Sequence, residues 1–332
     1  MYLLRRISQA LLALFGVSII LFYLLHAMPG DPSDQILMLS GSEMSIEAIE
    51  TVRKDLFLDR PIHERYLCWV LGSSGPSCES WPTRGLLFGD LGASRVYNQP
   101  VTEIFFSKLL SSFRLLIPAF LIAAFLALGL GALASTPNFA WVARMNNLIS
   151  FSGLAFPVHW IGLSLLLVFS VQWRIFPVGG INNLSEPSFF GALQHAFLPV
   201  FVLSLFYFSR WVGHVQSQFQ EVLKQDYIQV ARAKGLKESR IILVHALPAA
   251  ALPIITVIGH SIPGIFSGAV VTERVFSYPG LGLLLLDSIK SDDYFLAMTI
   301  LLVFALVSFV CTIIIDLTYQ KLDPRIRLGG ES

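Results

Sequence analysis

The sequence predicts an all-α integral membrane protein of about six transmembrane helices, with a small extracytoplasmic subdomain between the first two. Three observations carry this. Only 14% of the 332 residues are charged, against about a quarter in soluble domains. Hydrophobic residues make up 55% and mean hydropathy is +0.68, so much of the surface faces something other than water. The polar residues are clustered between apolar runs, as loops between membrane spans are. The net charge of +1 shows neither the basic excess of a nucleic-acid binder nor the acidic excess of a cation store.

The first apolar run, Ala10 to Met28, follows Arg5 and Arg6 and could pass for a signal peptide. It is longer than a signal h-region of about 7–15 residues. It is followed by Pro29-Gly30-Asp31-Pro32, not by a small-x-small cleavage site, so a retained span is expected. Leu115 to Ala134 is free of charge and suits one helix. Ile149 to Trp173 holds only His159 as a titratable group, read as a packing histidine. Phe197 to Ser209 is short for a span, so its helix should continue through Arg210 and Trp211 towards His214. Arg210 is expected to snorkel to the headgroups. Pro248 to Thr272 and Phe295 to Ile315 complete the set.

Lys and Arg in short loops set orientation. With the N-terminus cytoplasmic, Arg144, Lys224, Arg232, Lys234, Lys237, Arg240, Lys321, Arg325 and Arg327 fall inside with Arg5 and Arg6. The short outer loops then hold only Arg174, Arg274 and Lys290. Both termini are therefore expected in the cytoplasm. The expected organisation is residues 1–30 as the N-terminal tip and first span and 31–108 as the extracytoplasmic subdomain. Residues 109–318 would form the membrane core, with a cytoplasmic loop at 217–248, and 319–332 the tail.

In the outer subdomain Ser45 is a candidate N-cap, with Ile46, Ile49, Val52 and Leu56 along one helical face. A second helix is expected from Pro61 to Leu71. Cys68 and Cys78 bracket a Gly- and Ser-rich turn. Outside an inner membrane they can close a short loop as a disulfide, and the alternative is two unrelated thiols. Trp69, Trp81 and Tyr97 are either core or docking surface. In the second span, Ala127 and Gly131 form a small-x-x-x-small pair, with Gly129 nearby.

The most informative stretch is the loop from Gln220 to Pro248. Asp226 suits the positive end of a short helix, Ala231 and Ala233 are small enough to let another surface approach, and Gly235 permits the positive φ that stops a helix. Pro248 and Pro253 then fall early in the next span, where a bend is tolerated. Read without context, this is a capped helix in a basic loop.

Its spacing resembles the EAA loop of binding-protein-dependent ABC importer permeases, which runs Glu-Ala-Ala, three residues, Gly, nine residues, then Ile-x-Leu-Pro. Gln229, Val230 and Ala231 stand at the first three places and Gly235 at the glycine, and His245-Ala246-Leu247-Pro248 forms the ending. Gln replaces Glu, Val replaces Ala and His replaces Ile. Tyr227 with Ala231-Arg232-Ala233-Lys234-Gly235-Leu236 looks like the dipeptide/oligopeptide branch. So do Pro29-Gly30-Asp31-Pro32, Leu58-Asp59-Arg60-Pro61, Phe88-Gly89-Asp90-Leu91-Gly92, Pro157 with Trp160, Glu273 to Gly282, and Asp323-Pro324-Arg325. Their order and spacing are similar to the B-type subunit, which has a large outer loop between its first two spans.

The resemblance implies a type I ABC importer permease in a bacterial inner membrane. It would be paired with a second permease, two ATP-binding cassette ATPase subunits and an extracytoplasmic substrate-binding protein. Peptides or similar small solutes would be imported, with nickel chelates or glutathione as alternatives. Asp226, Tyr227, Gln229, Ala231, Arg232, Ala233, Gly235, His245 and Pro248 would couple the chain to the ATPases. His260, Pro263 and Gly264 are pathway candidates. Asp90 and Glu273 are outer-face candidates, with Glu273 either capping the outer helix or meeting the docked binding protein. ATP would be bound by the partners, because the chain has no Gly-x-x-x-x-Gly-Lys-Ser/Thr sequence, and no cofactor of its own is implied. No His, Cys and carboxylate cluster has metal-ligand spacing, and no Ser/His/Asp set suggests an enzyme. A secondary carrier should show inverted repeats and mid-membrane acids, and neither is evident. A non-transporting assembly or sensor protein would not need the loop.

Overall fold

The computed structural model describes residues 2–27, 50, 53–54, 57–75, 78, 81, 83–94, 96–181 and 189–322. Ser45, Ile46, Ile49, Val52 and Leu56, the Pro29–Pro32 segment and the Asp323–Arg325 segment lie outside them. The chain divides into two compact units, one built mainly of residues 3–110 and 283–307, the other of 111–282 and 308–332.

In the first unit α1 (Tyr2–His26) is long and apolar enough to cross a membrane. It begins well before the apolar run, because Arg5 and Arg6 are good helix formers. The expected outer helix is present as α2 (Ile62–Leu71), entered at Pro61 and stopped by Gly72, whose N–H bonds the Cys68 carbonyl. Tyr66 and Trp69 of α2 are buried and meet Phe22 of α1, and the Tyr66 hydroxyl bonds Ser18 at 2.8 Å. Trp81 is buried against Phe57 and Phe295, so Trp69 and Trp81 are core. Tyr97 remains 42% exposed. Cys68 and Cys78 are bonded, with Cα atoms 5.3 Å apart. A two-residue hairpin pairs Ala93–Ser94 with Gln99–Pro100 and leads into α3 (Val101–Ala134).

The second unit holds most of α3, then α4 (Pro137–Ala155), α5 (Val158–Gln172), α6 (Phe189–Leu223), α7 (Asp226–Ala233), α8 (Glu238–Ser261) and α9 (Ile265–Val275). The chain passes between the units within α3, α10 (Leu281–Lys290) and α11 (Tyr294–Leu322). Buried positions on α6 recur at helical spacing, from Leu198 and Val202 through Val212, Val215 and Phe219 to Leu223. This stripe makes α6 the post against which α4, α5, α8 and α9 pack. Small side chains set the closest approaches. A Cβ on Gly131 of α3 would lie 2.6 Å from Val215 Cγ1, whereas Gly129 has nothing within 4 Å. Ser150 of α4 donates to the Ser209 carbonyl at 2.7 Å.

Two expected spans are corrected. Ile149 to Trp173 is not one helix, since α4 and α5 meet at a bend of 101°. Pro157 has no N–H and restricts the residue before it, so Phe156 is extended at φ −96°, ψ 130°. Pro248 to Thr272 is likewise two pieces. α8 stops at Ser261, and Pro263 and Gly264 form a turn before α9, because Pro263 cannot donate to Gly259 and adds ring bulk there. Among the described residues, five helices are long and apolar enough to cross a membrane, or six if the bent pair is one span. The fourth expected span is longer than anticipated, running to Leu223. His159 is exposed on α5, which corrects its reading as a packing residue. It sits just past the Pro157 bend, beside Trp160 at 64% exposure.

Candidate coupling site

Gln225 is extended (φ −68°, ψ 147°) and starts α7, placing Asp226 in the first turn, where a carboxylate is favoured by the helix dipole. The helix then divides cleanly by side. Ile228 and Ala231, three apart, are buried at 0% and 7% exposure, while Tyr227 and Val230, also three apart, are 48% and 53% exposed. The buried pair seats α7 against the end of α6 and the start of α8. Val and Tyr are poor choices for an outward face in water. Their exposure here leaves an apolar patch flanked by Asp226, Gln229, Ala233 and Lys234, all exposed.

Gly235 ends the helix at φ +76°. Its N–H bonds the Arg232 carbonyl at 2.9 Å, and Leu236 N–H reaches back to the Ala231 carbonyl at 3.3 Å, a backbone wrap that satisfies the last carbonyls. Across this turn Arg232 Nε donates to Glu238 Oε1 at 2.7 Å and Nη2 to Oε2 at 3.4 Å. α8 therefore begins clasped to α7. Its first turns widen into a π-helix at Ile241–Ala246, with Ile241 and Ala246 fully buried and His245 half-buried. Pro248 follows, exposed, at the second position of the α-helical part.

Ala231 was expected to admit another surface. It is instead buried against its own chain at 7% exposure, and only Ala233 of the pair is exposed. Val230, placed in the motif without a role of its own, and Glu238 were not among the expected coupling residues. Val230 could have been found from the 227/230 spacing opposite 228/231, but Glu238 is recognisable only once the Gly235 turn brings it back to Arg232.

The remaining sequence candidates do not converge on this site. His260 and Gly264 are exposed and Pro263 is half-buried, all at the break between α8 and α9. Tyr207 of α6 donates to the Ile265 carbonyl just beyond it, at 3.3 Å. Glu273 is 0% exposed, which corrects the outer-surface contact considered for it. Its Oε1 accepts from Ser112 at 2.6 Å and its Oε2 from Gly282 N–H at 2.7 Å. Ser112 Oγ in turn accepts from Leu281 N–H at 2.7 Å. Glu273 and Ser112 thus satisfy the first donors of α10, the capping half of its expected alternatives, though for the helix that follows it. A side chain at Gly280 would overlap the Glu273 carboxyl group. Tyr278, enclosed in the same turn, has its phenol pushed up by burial, with Arg114 opposing and Glu273 adding to the shift. Asp90 accepts from the backbone N–H of Arg84 at 2.9 Å and of Gly92 at 3.1 Å, so it staples its own turn. Arg210 lies 5.4 Å from the Phe206 ring. Among the described residues no three His, Cys, Asp or Glu side chains gather as metal ligands.

Comparison with known proteins decides the family. Residues 127–328 match the binding-protein-dependent transport system inner membrane component, and residues 1–111 match the N-terminal region of the same class of membrane component. The chain belongs to this permease family. Similar relatives of this inner membrane component include the oligopeptide transport system permease protein AppB of Bacillus subtilis, 34% identical over 327 residues. Another is the glutathione transport system permease protein GsiC of Escherichia coli O6:H1, 30% identical over 326 residues. Each pairing covers 98% of both chains. An inward-facing structure of the MetNI methionine ABC transporter shares the fold at a TM-score of 0.53 and 13% identity, covering 67% of this chain and 97% of that one. The protein is thus a multi-pass transport permease of the inner membrane component type.

Proposed function

We propose that the chain is a B-type permease subunit forming half of a translocation pathway for oligopeptides or similar small solutes, and that α7 is the lever by which separate ATPase subunits drive it. The observation that carries the reading is the division of α7. Ile228 and Ala231 tie it to the membrane helices, while Tyr227 and Val230 offer a partner an apolar patch. An apolar patch with a polar rim suits a groove on another protein. The Arg232–Glu238 pair and the Gly235 turn make α7 and α8 move together, so a push on one reaches the other as a rigid-body shift.

The relatives named for oligopeptide and glutathione transport support a peptide-like cargo. The assembly would hold a second permease, two ATPases and an outer binding protein, with both termini and α7 in the cytoplasm. Asp226, Gln229, Ala233, Lys234 and His245 would frame the contact, and His260, Pro263 and Gly264 would line the path where α8 breaks. The test is uptake and ATP hydrolysis by the complete complex in vesicles, given binding protein and a labelled oligopeptide. Val230→Asp should abolish uptake and ATPase co-purification, while Leu243→Asp, at a still more exposed apolar position, should leave co-purification intact. Normal uptake by Val230→Asp, or labelling of Lys234→Cys only from the external side, would overturn the proposal.

A further inference from the structure

Within the first unit, α1, α2, the 86–91 turn and the N-terminal half of α11 border a cavity of about 360 Å³, walled by Leu14, Tyr66, Val70, Leu87, Leu302 and Val303 among others. Its few hydroxyls are already engaged. Ser18 donates to the Phe15 carbonyl at 2.7 Å and bonds Tyr66, and Thr299 donates to the Phe295 carbonyl at 2.8 Å. A charged or amide-bearing solute would find no partner there, and water would gain little. Apolar cavities of about 150 Å³ stay dry and accept hydrocarbon, and this one is larger.

The walls also say where the hydrocarbon comes from. α1 and α11 are both long and apolar enough to cross a membrane. Leu11 and Phe15 border the cavity yet are 62% and 58% exposed, so its mouth runs directly onto the apolar flank of α1. We propose that this cavity is an acyl-chain site for a membrane phospholipid, which packs beneath α2 and joins the outer subdomain's helix to the bilayer. From Leu11 to Ser18 the α1 wall extends for about 10 Å at 1.5 Å per residue, which suits a linear chain lying along the helix.

The test uses the full chain in nanodiscs of phosphatidylethanolamine and phosphatidylglycerol, doped with a phospholipid carrying a photoreactive diazirine in mid-chain. Adducts are mapped by mass spectrometry. The site predicts several-fold higher labelling at residues 11–18 and 299–306 than at Phe125 and Phe151, ordinary exposed apolar side chains at 78% and 76%. Val70→Phe and Val303→Phe fill the cavity from different walls. Either should bring its labelling down to the Phe125 level while leaving Phe125 unchanged, with an intact Cys68–Cys78 bond reporting a folded subdomain. Cavity labelling no higher than at Phe125 in the unaltered chain overturns the site. So does labelling that persists in both filled, folded variants, or cross-linking of the cavity to the chain's own residues 28–49 in place of lipid.

Discussion

Replacing Glu273 with Ala should destabilise the second unit more than any other single change near the α9–α10 turn. The carboxyl group accepts from Ser112 Oγ at 2.6 Å and from Gly282 N–H at 2.7 Å, and the side chain is 0% exposed. Each buried donor left without a partner costs about 1–3 kcal/mol. Two such donors give a loss of about 2–6 kcal/mol, towards the exceptional end for one substitution. Glu273→Gln keeps one acceptor, so it should cost roughly half as much. Ser112→Ala removes the acceptor for Leu281 N–H as well as one donor to Glu273. Because the two side chains share this network, the double variant should lose about 1–3 kcal/mol less than the sum of the singles. The assay is intrinsic-fluorescence thermal unfolding of the detergent-purified chain at one scan rate, where about 2–4 °C per kcal/mol is the usual scale. A Glu273→Ala shift within about 1 °C of the unaltered protein, or strict additivity with Ser112→Ala, would refute the reasoning.

Other expectations follow from single contacts. Gly131→Val should cost about 1–3 kcal/mol by overpacking, since its Cβ would meet Val215 at 2.6 Å, while Gly129→Ala, with open space around it, should be neutral or stabilising; the same unfolding assay separates them. Thiol alkylation of the folded, oxidised chain should modify only Cys311, and all three cysteines after reduction. Removing the bridge with a Cys68→Ser, Cys78→Ser pair should cost about 2–3 kcal/mol for so short a loop, read as faster proteolysis of the segment around α2. At Gly235 the space is open but φ is +76°, so Gly235→Val should cost about 1–2 kcal/mol and Gly235→Asn distinctly less, measured as loss of uptake relative to ATP hydrolysis in the assembled transporter.

Much of the architecture is legible because membrane spans and helix stops are written in local chemistry. An apolar run of span length has few alternatives, and Gly235 after a short polar helix can only be a stop. Local chemistry misleads at Pro157 and Pro263. Hydropathy averages over a window, and prolines in membrane helices are compatible with either a gentle kink or a full break. Pro118 and Pro199 lie inside continuous helices, while Pro157 and Pro263 end them. What differs is the packing around each proline, which the sequence does not carry. The same holds for Ala231, where small size suits approach by a partner and approach by the chain itself equally well.

The sequence by itself determined that this is a membrane-embedded permease of the binding-protein-dependent family, because apolar span length and the order of its motifs are properties of the linear chain. Only the tertiary structure decided which side of α7 is free, that Glu273 caps α10 from the interior, and that a hydrocarbon-lined cavity lies beneath α2. The last two depend on groups distant in sequence. Ser112 is 161 residues from Glu273, and Ser18 is 48 from Tyr66. A carboxyl group or a leucine takes its role from whatever folding places beside it.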